Sequence, residues 1–297
     1  MRSDISFNSH GTLCRGWLYR PDDAPAKAPA ILMTHGFSTV KEQGLDEFAR
    51  VFEARGFVVL VFDYRFLGAS DGEPRGQILP QTQHDDLRAA MDWLSAQSFV
   101  DAERIGLWGT SYSGGHALFF GGLDPRVKAV VAQVPAINLA SSLTRMLGRE
   151  GLANVLALLS ADHAARNAAK PAGEIAITAP LGEPCIFPGA QDTWFKQDAP
   201  NWVNHTTLES LARMVEYAPA SLIELIAPRP LLIIAAQKDA LIPIADVRAA
   251  FARAGEPKEL KEYACGHFDV YPGEKCHAQA AQDAADWFAK YLGPAAD

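Results

Sequence analysis

The run Ile105-Gly106-Leu107-Trp108-Gly109-Thr110-Ser111-Tyr112-Ser113-Gly114-Gly115 has the residue types and spacing best suited to nucleophilic chemistry. An apolar stretch that reads as a strand leads into small-x-Ser-x-small, and a helical pattern follows at 116–121. Small neighbours let strand and helix backbones pass close together, and the strained turn between them lifts the central hydroxyl clear of the chain. The same turn aims the free N–H groups and the positive dipole end of a helix at any negative charge that develops there. Two registers fit, one centred on Ser111 (Gly109-x-Ser111-x-Ser113) and one on Ser113 (Ser111-x-Ser113-x-Gly115). The first is favoured because Trp108-Gly109 ends the strand and the turn should follow at once.

A serine hydroxyl is a weak nucleophile until a base takes its proton. His267, in Tyr263-Ala264-Cys265-Gly266-His267-Phe268-Asp269, falls after the last strand pattern and before the last helix pattern. A loop there reaches the strand-end edge that also carries Ser111. The base in turn needs an acceptor that holds its tautomer and stabilises the imidazolium. Asp239 follows the apolar run 231–236 and is the expected partner. Asp269, two residues beyond His267, is the alternative, although a place on the same loop suits it poorly to orient its neighbour. An oxyanion would need backbone N–H donors. Those of Tyr112, directly after the serine, and of Phe37, in the turn Thr34-His35-Gly36-Phe37, are the candidates. His35 is read as a structural histidine beneath that turn.

These groups must be held by elements far apart in the chain. Runs at 13–19, 30–34, 58–62, 105–108, 127–133, 231–235 and 260–263 read as strands, the middle ones apolar nearly throughout. Continuous apolar runs are how parallel strands covered on both faces read. Helical patterns at 44–55, 85–96, 246–254 and 278–291 alternate with them, which predicts βαβ units and a doubly wound sheet. Residues 5–7 and 13–19, joined through Asn8-Ser9-His10-Gly11, predict an antiparallel hairpin at the start. A long interval separates 127–133 from 231–235, with helical patterns at 139–147, 152–169 and 208–217 and an irregular stretch at 180–204. A connection of that length needs structure of its own. The expected division is a core of 1–136 and 222–297 and a helical cap of 137–221. Trp194, Phe195 and Trp202 of the cap are candidates to line an apolar substrate pocket, or else pin the cap to the core. Its basic residues Arg145, Arg149, Arg166, Lys170 and Lys196 are read as a solvated face.

Taken together these segments resemble the α/β-hydrolase superfamily. The resemblance covers the His35-Gly36 turn, the serine turn, 232–239, Gly266-His267-Phe268 and Asp63-Tyr64-Arg65-Phe66-Leu67-Gly68-Ala69-Ser70-Asp71-Gly72. The last is similar to the superfamily's D-x-R-G-x-G-x-S-x-G segment, with Phe66 where glycine is usual. The ending Gly266-His267-Phe268-Asp269-Val270-Tyr271 is similar to the dienelactone-hydrolase, acetyl-xylan-esterase and polyketide-transferase-like neighbourhood. The resemblance implies an α/β-hydrolase fold: a mostly parallel, eight-stranded, doubly wound sheet with a helical cap inserted after the sixth strand. It further implies a Ser-His-Asp hydrolase without a cofactor. The expected reaction is cleavage of carboxylic esters through an acyl-enzyme on Ser111, with His267 as base and Asp239 as its acid. A thioesterase, acyltransferase, peptidase or C–C hydrolase using the same residues is the alternative, and a non-catalytic binding module is a reading of a different class. Dehalogenase and epoxide-hydrolase chemistry is disfavoured, because those enzymes use Asp where this chain has Ser111.

Composition narrows the partners. The 297 residues carry a net charge of −8 and show no Lys/Arg cluster, which argues against nucleic acid. Cys14, Cys185, Cys265 and Cys276 follow no metal-ligand spacing and read as free thiols of a reducing compartment, so no metal is expected. No signal-peptide pattern and no membrane span are read, so the expected location is cytoplasmic. The expected partner is a small-molecule ester or acyl substrate, and a homodimer is compatible with the sequence.

Overall fold

The computed structural model describes residues 1–23, 25–190 and 199–293. In chain order the first half runs β1 (Arg2–Ser9), β2 (Thr12–Tyr19), β3 (Ala28–Thr34), α1 (Leu45–Ala54), β4 (Val58–Phe62), α2 (Pro80–Ser95), β5 (Val100–Thr110), α3 (Tyr112–Leu123) and β6 (Val127–Gln133). There follow α4 (Leu139–Asn167), β7 (Glu174–Ala179), β8 (Cys185–Pro188), β9 (His205–Thr207), α5 (Leu208–Val215) and a 3-10 segment, Pro219–Ile226. The chain then returns through β10 (Leu231–Ala236), α6 (Ile244–Arg253), β11 (Lys258–Tyr263), the 3-10 turn His267–Val270 and α7 (His277–Leu292).

Eight strands form one sheet in the order β1-β2-β4-β3-β5-β6-β10-β11. β2 pairs antiparallel with β1 and β4, and the remaining neighbours are parallel. The opening hairpin turns on His10 and Gly11, both at positive φ (50° and 86°), the conformation a two-residue turn needs to match strand twist. Every residue of β3 and β4 is buried. Alternation along β5 shows why both faces are apolar. Leu107 packs on the side of Leu87, Met91 and Leu118 from α2 and α3, and Trp108 packs on the side of Phe48 and Phe288 from α1 and α7. Helices therefore cover both faces. Phe66, the departure from the superfamily pattern, stands at φ 71°, a conformation that costs glycine little and a side chain more.

The segment between β6 and β10 differs from the purely helical reading. α4 spans both expected helices and breaks at Gly148 (φ 69°, ψ 176°). After it, β7, β8 and β9 form a three-stranded sheet in the order β8-β7-β9, part of it in the stretch read as irregular. Strands of 6, 4 and 3 residues carry little local signal, and these are set by pairing partners distant in the chain.

A buried polar cluster joins α2, α3 and the residues after α5. The Tyr217 hydroxyl lies 2.9 Å from His84 Nε2 and 2.8 Å from His116 Nδ1, and His116 Nε2 lies 2.8 Å from Gln83 Oε1. Burial, helped by the Arg88 charge, pushes the His84 imidazole down from 6.5 to about 4. Burial and the neighbouring His84 and His35 also hold His116 well below its ordinary value. The unfolded chain therefore takes up protons on these histidines that the folded chain refuses. Their contribution to stability is full above pH 6.5 and is lost as pH falls toward about 4. The urea midpoint should fall across that window, and fall less steeply in His84→Gln. Equal slopes in the two proteins would contradict this account.

Candidate active site

Ser111 sits between β5 and α3 at φ 56°, ψ −119°, a conformation a side chain adopts only when its surroundings impose it. The surroundings are specific. The Ser111 N–H donates to the Gln133 carbonyl at 2.8 Å, and the Ser111 carbonyl accepts from Ala136 N–H at 2.9 Å. A Cβ on Gly109 would collide with the Ser113 carbonyl, and one on Gly114 would lie 2.8 Å from the Gln133 carbonyl. Both positions must be small for the strand and helix to meet at this angle. Ser113 is fully buried under the turn, its Oγ 3.1 Å from the Tyr64 hydroxyl. Ser111, not Ser113, is the serine presented at the strand edge.

His267 opens the 3-10 turn that follows β11, and Asp239 follows β10. Because β5, β10 and β11 run the same way, their C-terminal ends share one edge. There the Ser111 hydroxyl lies 3.0 Å from His267 Nε2, across 156 residues of chain, and His267 Nδ1 lies 2.7 Å from Asp239 Oδ2, across 28. The imidazole and carboxylate are nearly solvent-free, at 3% and 2% side-chain exposure. The other Asp239 oxygen accepts the N–H groups of Leu241 and Ile242, each at 2.8 Å, which fixes the carboxylate plane. Asp269, the alternative acceptor, faces elsewhere. Its Oδ2 accepts the Gly266 N–H at 2.7 Å and pairs with Lys275 at 3.0 Å, and these contacts hold its carboxyl below the usual range. It braces the loop that carries His267.

The two expected oxyanion donors flank the serine. Tyr112 is the first residue of α3, where a helix N–H has no intrahelical acceptor. Phe37 follows the β3 turn, its ring edge-on to that of Tyr112 at 5.5 Å between centroids. A Cβ on Gly36 would stand 3.4 Å from the Ser111 Cβ, so the turn passes directly over the serine. His35 is buried and places Nδ1 3.0 Å from the Gly36 carbonyl, as a structural histidine would, and burial lowers its pKa.

Two residues that the sequence showed only as members of family-like segments, with no role read for either, support the site. Asp63 accepts from the Lys41 backbone N–H at 2.7 Å, the Lys41 ammonium at 2.6 Å and the Ala69 N–H at 2.9 Å, tying the loop after β3 to the turn after β4. The Tyr271 hydroxyl lies 2.7 Å from Thr110 Oγ1, beneath the serine. Only the nearness of Tyr271 to His267 in the chain hinted at it.

Two cavities meet at Ser111. The larger, about 200 Å³, is walled by Leu143 and Val155 of α4, Ile175 of β7, Phe187 of β8 and Leu211 and Met214 of α5. The smaller, about 30 Å³, lies on the His267 side and includes His35, Thr39, Gln43 and Tyr271. Trp202 is not among the residues described in either wall. Its indole N–H donates to the Ser38 carbonyl at 2.7 Å, tying the inserted segment to the loop after β3. Trp194 and Phe195 lie outside the described residues, as does Lys196. Arg145 pairs with Asp246 at 3.1 Å and Arg166 with Asp162 at 2.9 Å. Among the described residues there is no His/Cys/Asp/Glu group able to hold a metal ion, and no helix long and apolar enough to cross a membrane.

A parallel sheet of this order, with a serine turn on β5 meeting an imidazole and a carboxylate from the last two strand ends, defines an α/β hydrolase. The chain belongs to the S15 peptidase family. The family model described as X-Pro dipeptidyl-peptidase (S15 family) matches residues 11–217, a span that holds Ser111 and ends before Asp239 and His267. The chain is 31% identical to the quorum-quenching protein AidA of Acinetobacter baumannii (strain MDR-ZJ06), over 91% of this chain and 89% of that one. It is 30% identical to the thiohydrolase aneE of Aspergillus aculeatus, over 88% and 84%. It is also 30% identical to the polyketide transferase af380 of Aspergillus fumigatus, over 92% and 93%. The crystal structure of the α/β hydrolase GrgF from Penicillium sp. sh18 superposes with a TM-score of 0.83 at 25% identity, over 99% of this chain and 100% of that one. The protein is thus a hydrolase by family and fold.

Proposed function

We propose that the protein cleaves carboxylic esters through an acyl-enzyme on Ser111. The observation that carries this reading is the continuous Ser111–His267–Asp239 contact, at 3.0 and 2.7 Å, opening onto an apolar cavity of about 200 Å³. Ser111 Oγ attacks the ester carbonyl as His267 Nε2 takes its proton, and Asp239 stabilises the resulting imidazolium. The oxyanion lies against the N–H groups of Tyr112 and Phe37. His267 then gives its proton to the leaving alcohol, accepts one from water and releases the acid.

Thioester cleavage is the second reading, because the relative aneE is named a thiohydrolase. The peptidase activity in the family description is not favoured. The described wall of the larger cavity carries no charged side chain to neutralise a peptide amine, and an unpaired charge there would be costly. A 150 Å³ apolar cavity holds a six-carbon benzene, so a 200 Å³ cavity has room for roughly eight carbons. The test is a fluorophosphonate probe followed by p-nitrophenyl esters from two to sixteen carbons, with a thioester and an amide of one acyl group. The expected result is covalent labelling and a kcat/KM that peaks near eight carbons, with the ester ahead of the thioester. A faster thioester would select the second reading, and absence of labelling would end both.

A further inference from the structure

The smaller cavity poses a separate question. Its wall includes two side chains that are each 1% exposed, Gln43 and His35, and each has one nitrogen without a hydrogen-bond partner among the described residues. Their chemistry is assigned by the bonds they do make. Gln43 Oε1 accepts the Val40 N–H at 3.1 Å, which only the carbonyl end of the amide can do, so the unsatisfied atom is the NH₂ donor. His35 Nδ1 faces the Gly36 carbonyl at 3.0 Å and must carry the proton, so the unsatisfied Nε2 is an acceptor. Buried polar groups rarely go unpaired, and where two of them line one cavity that opens onto the nucleophile, a polar group entering that cavity is in position to pair them. The cavity holds about 30 Å³, enough for a group the size of a hydroxyl.

This cavity also touches His267, and the larger one does not. In the proposed reaction the leaving alcohol takes its proton from His267 Nε2, so it departs on the His267 side while the acyl chain lies among the apolar residues. The substrate then has an apolar acyl part and a compact polar alcohol part. A hydroxyl both accepts and donates, and so is matched to the Gln43 donor as well as to the His35 acceptor in this wall. We infer that the smaller cavity is a leaving-group subsite for a short alcohol bearing a second hydroxyl. Gln43 is its specificity-determining residue, and the substrate is a monoacyl ester of a small polyol.

The inference rests on the acyl-enzyme reading above, and its test separates the two. Three octanoate esters are compared: 2-hydroxyethyl, 2-methoxyethyl and propyl, offering donor plus acceptor, acceptor only, and neither. Each kcat/KM is divided by the rate of hydroxide hydrolysis, which removes intrinsic leaving-group reactivity. The wild-type protein is expected to prefer hydroxyethyl over propyl by about tenfold or more, with methoxyethyl between them. Gln43→Leu and the isosteric Gln43→Glu, which keeps an oxygen for Val40 N–H, are expected to flatten the series to within about threefold. A wild-type protein indifferent to the three esters overturns the inference, as does a preference that survives both variants. Loss of fluorophosphonate labelling in both variants assigns Gln43 to holding the loop and overturns it as well. A wild-type protein that neither labels nor turns over any ester sinks the acyl-enzyme reading itself.

Discussion

Ser111→Ala should reduce kcat on every acyl substrate by about 10⁶-fold and abolish fluorophosphonate labelling, the scale seen when a serine of this kind is removed elsewhere. The fold should survive. Alanine keeps the Cβ, so the strain at φ 56° is unchanged, and the backbone bonds of residue 111 to Gln133 and Ala136 do not involve the hydroxyl. Ser113→Ala is the matched control. It removes one partner of the buried Tyr64 hydroxyl, which also interacts with Thr34, and should cost about 1 kcal/mol of stability while labelling persists. Intact-mass measurement after probe treatment distinguishes the two. Labelling that survives in Ser111→Ala and disappears in Ser113→Ala would move the nucleophile to 113.

Asp239→Asn should lower kcat by roughly 10⁴-fold, through the imidazole tautomer and not through lost packing. Asp239 Oδ1 accepts two backbone N–H groups, from Leu241 and Ile242. In the variant, only the amide oxygen can stay with those donors, so the NH₂ group is turned toward His267 Nδ1. The imidazole must then present a bare Nδ1 and carry its proton on Nε2, 3.0 Å from Ser111, where it cannot accept the serine proton. Single-turnover kinetics would show the deficit in acylation, and nitrogen NMR of the imidazole would show the exchanged tautomer. Activity within tenfold of wild type would remove Asp239 from the proposed mechanism. Asp269→Asn should have a far smaller effect, since that carboxylate holds Gly266 N–H and Lys275 and not the imidazole.

The fold was readable wherever the determinants are local or periodic. Eight runs read as strands became the eight strands of the sheet, and the central β3 and β4 are apolar throughout because they are buried on both faces. The serine turn was visible because close approach of strand and helix demands small residues at fixed offsets, and Gly109 meets that demand against Ser113 four residues on, while Gly114 meets it against Gln133 of β6. The two-residue hairpin at His10-Gly11 is a local event of the same kind. The insertion between β6 and β10 was legible only in its helices. β7 pairs with β9 about thirty residues later, and that partnership leaves no periodic trace in six residues.

The site divides in the same way. By itself the sequence determined which hydroxyl, imidazole and carboxylates were available, and placed each just past a strand, because those are properties of residue type and of neighbours close in the chain. The sequence already favoured Ser111 over Ser113 and Asp239 over Asp269; only the tertiary structure brought Ser111, His267 and Asp239 within hydrogen-bond reach, walled the larger cavity with Ile175 and Leu211 and not with Trp202, and left Gln43 with an unpaired donor. The first of these depends on groups that meet across 28 and 156 residues of intervening chain. A hydrogen bond depends on distance and direction to within tenths of an ångström, and strand order and packing set both.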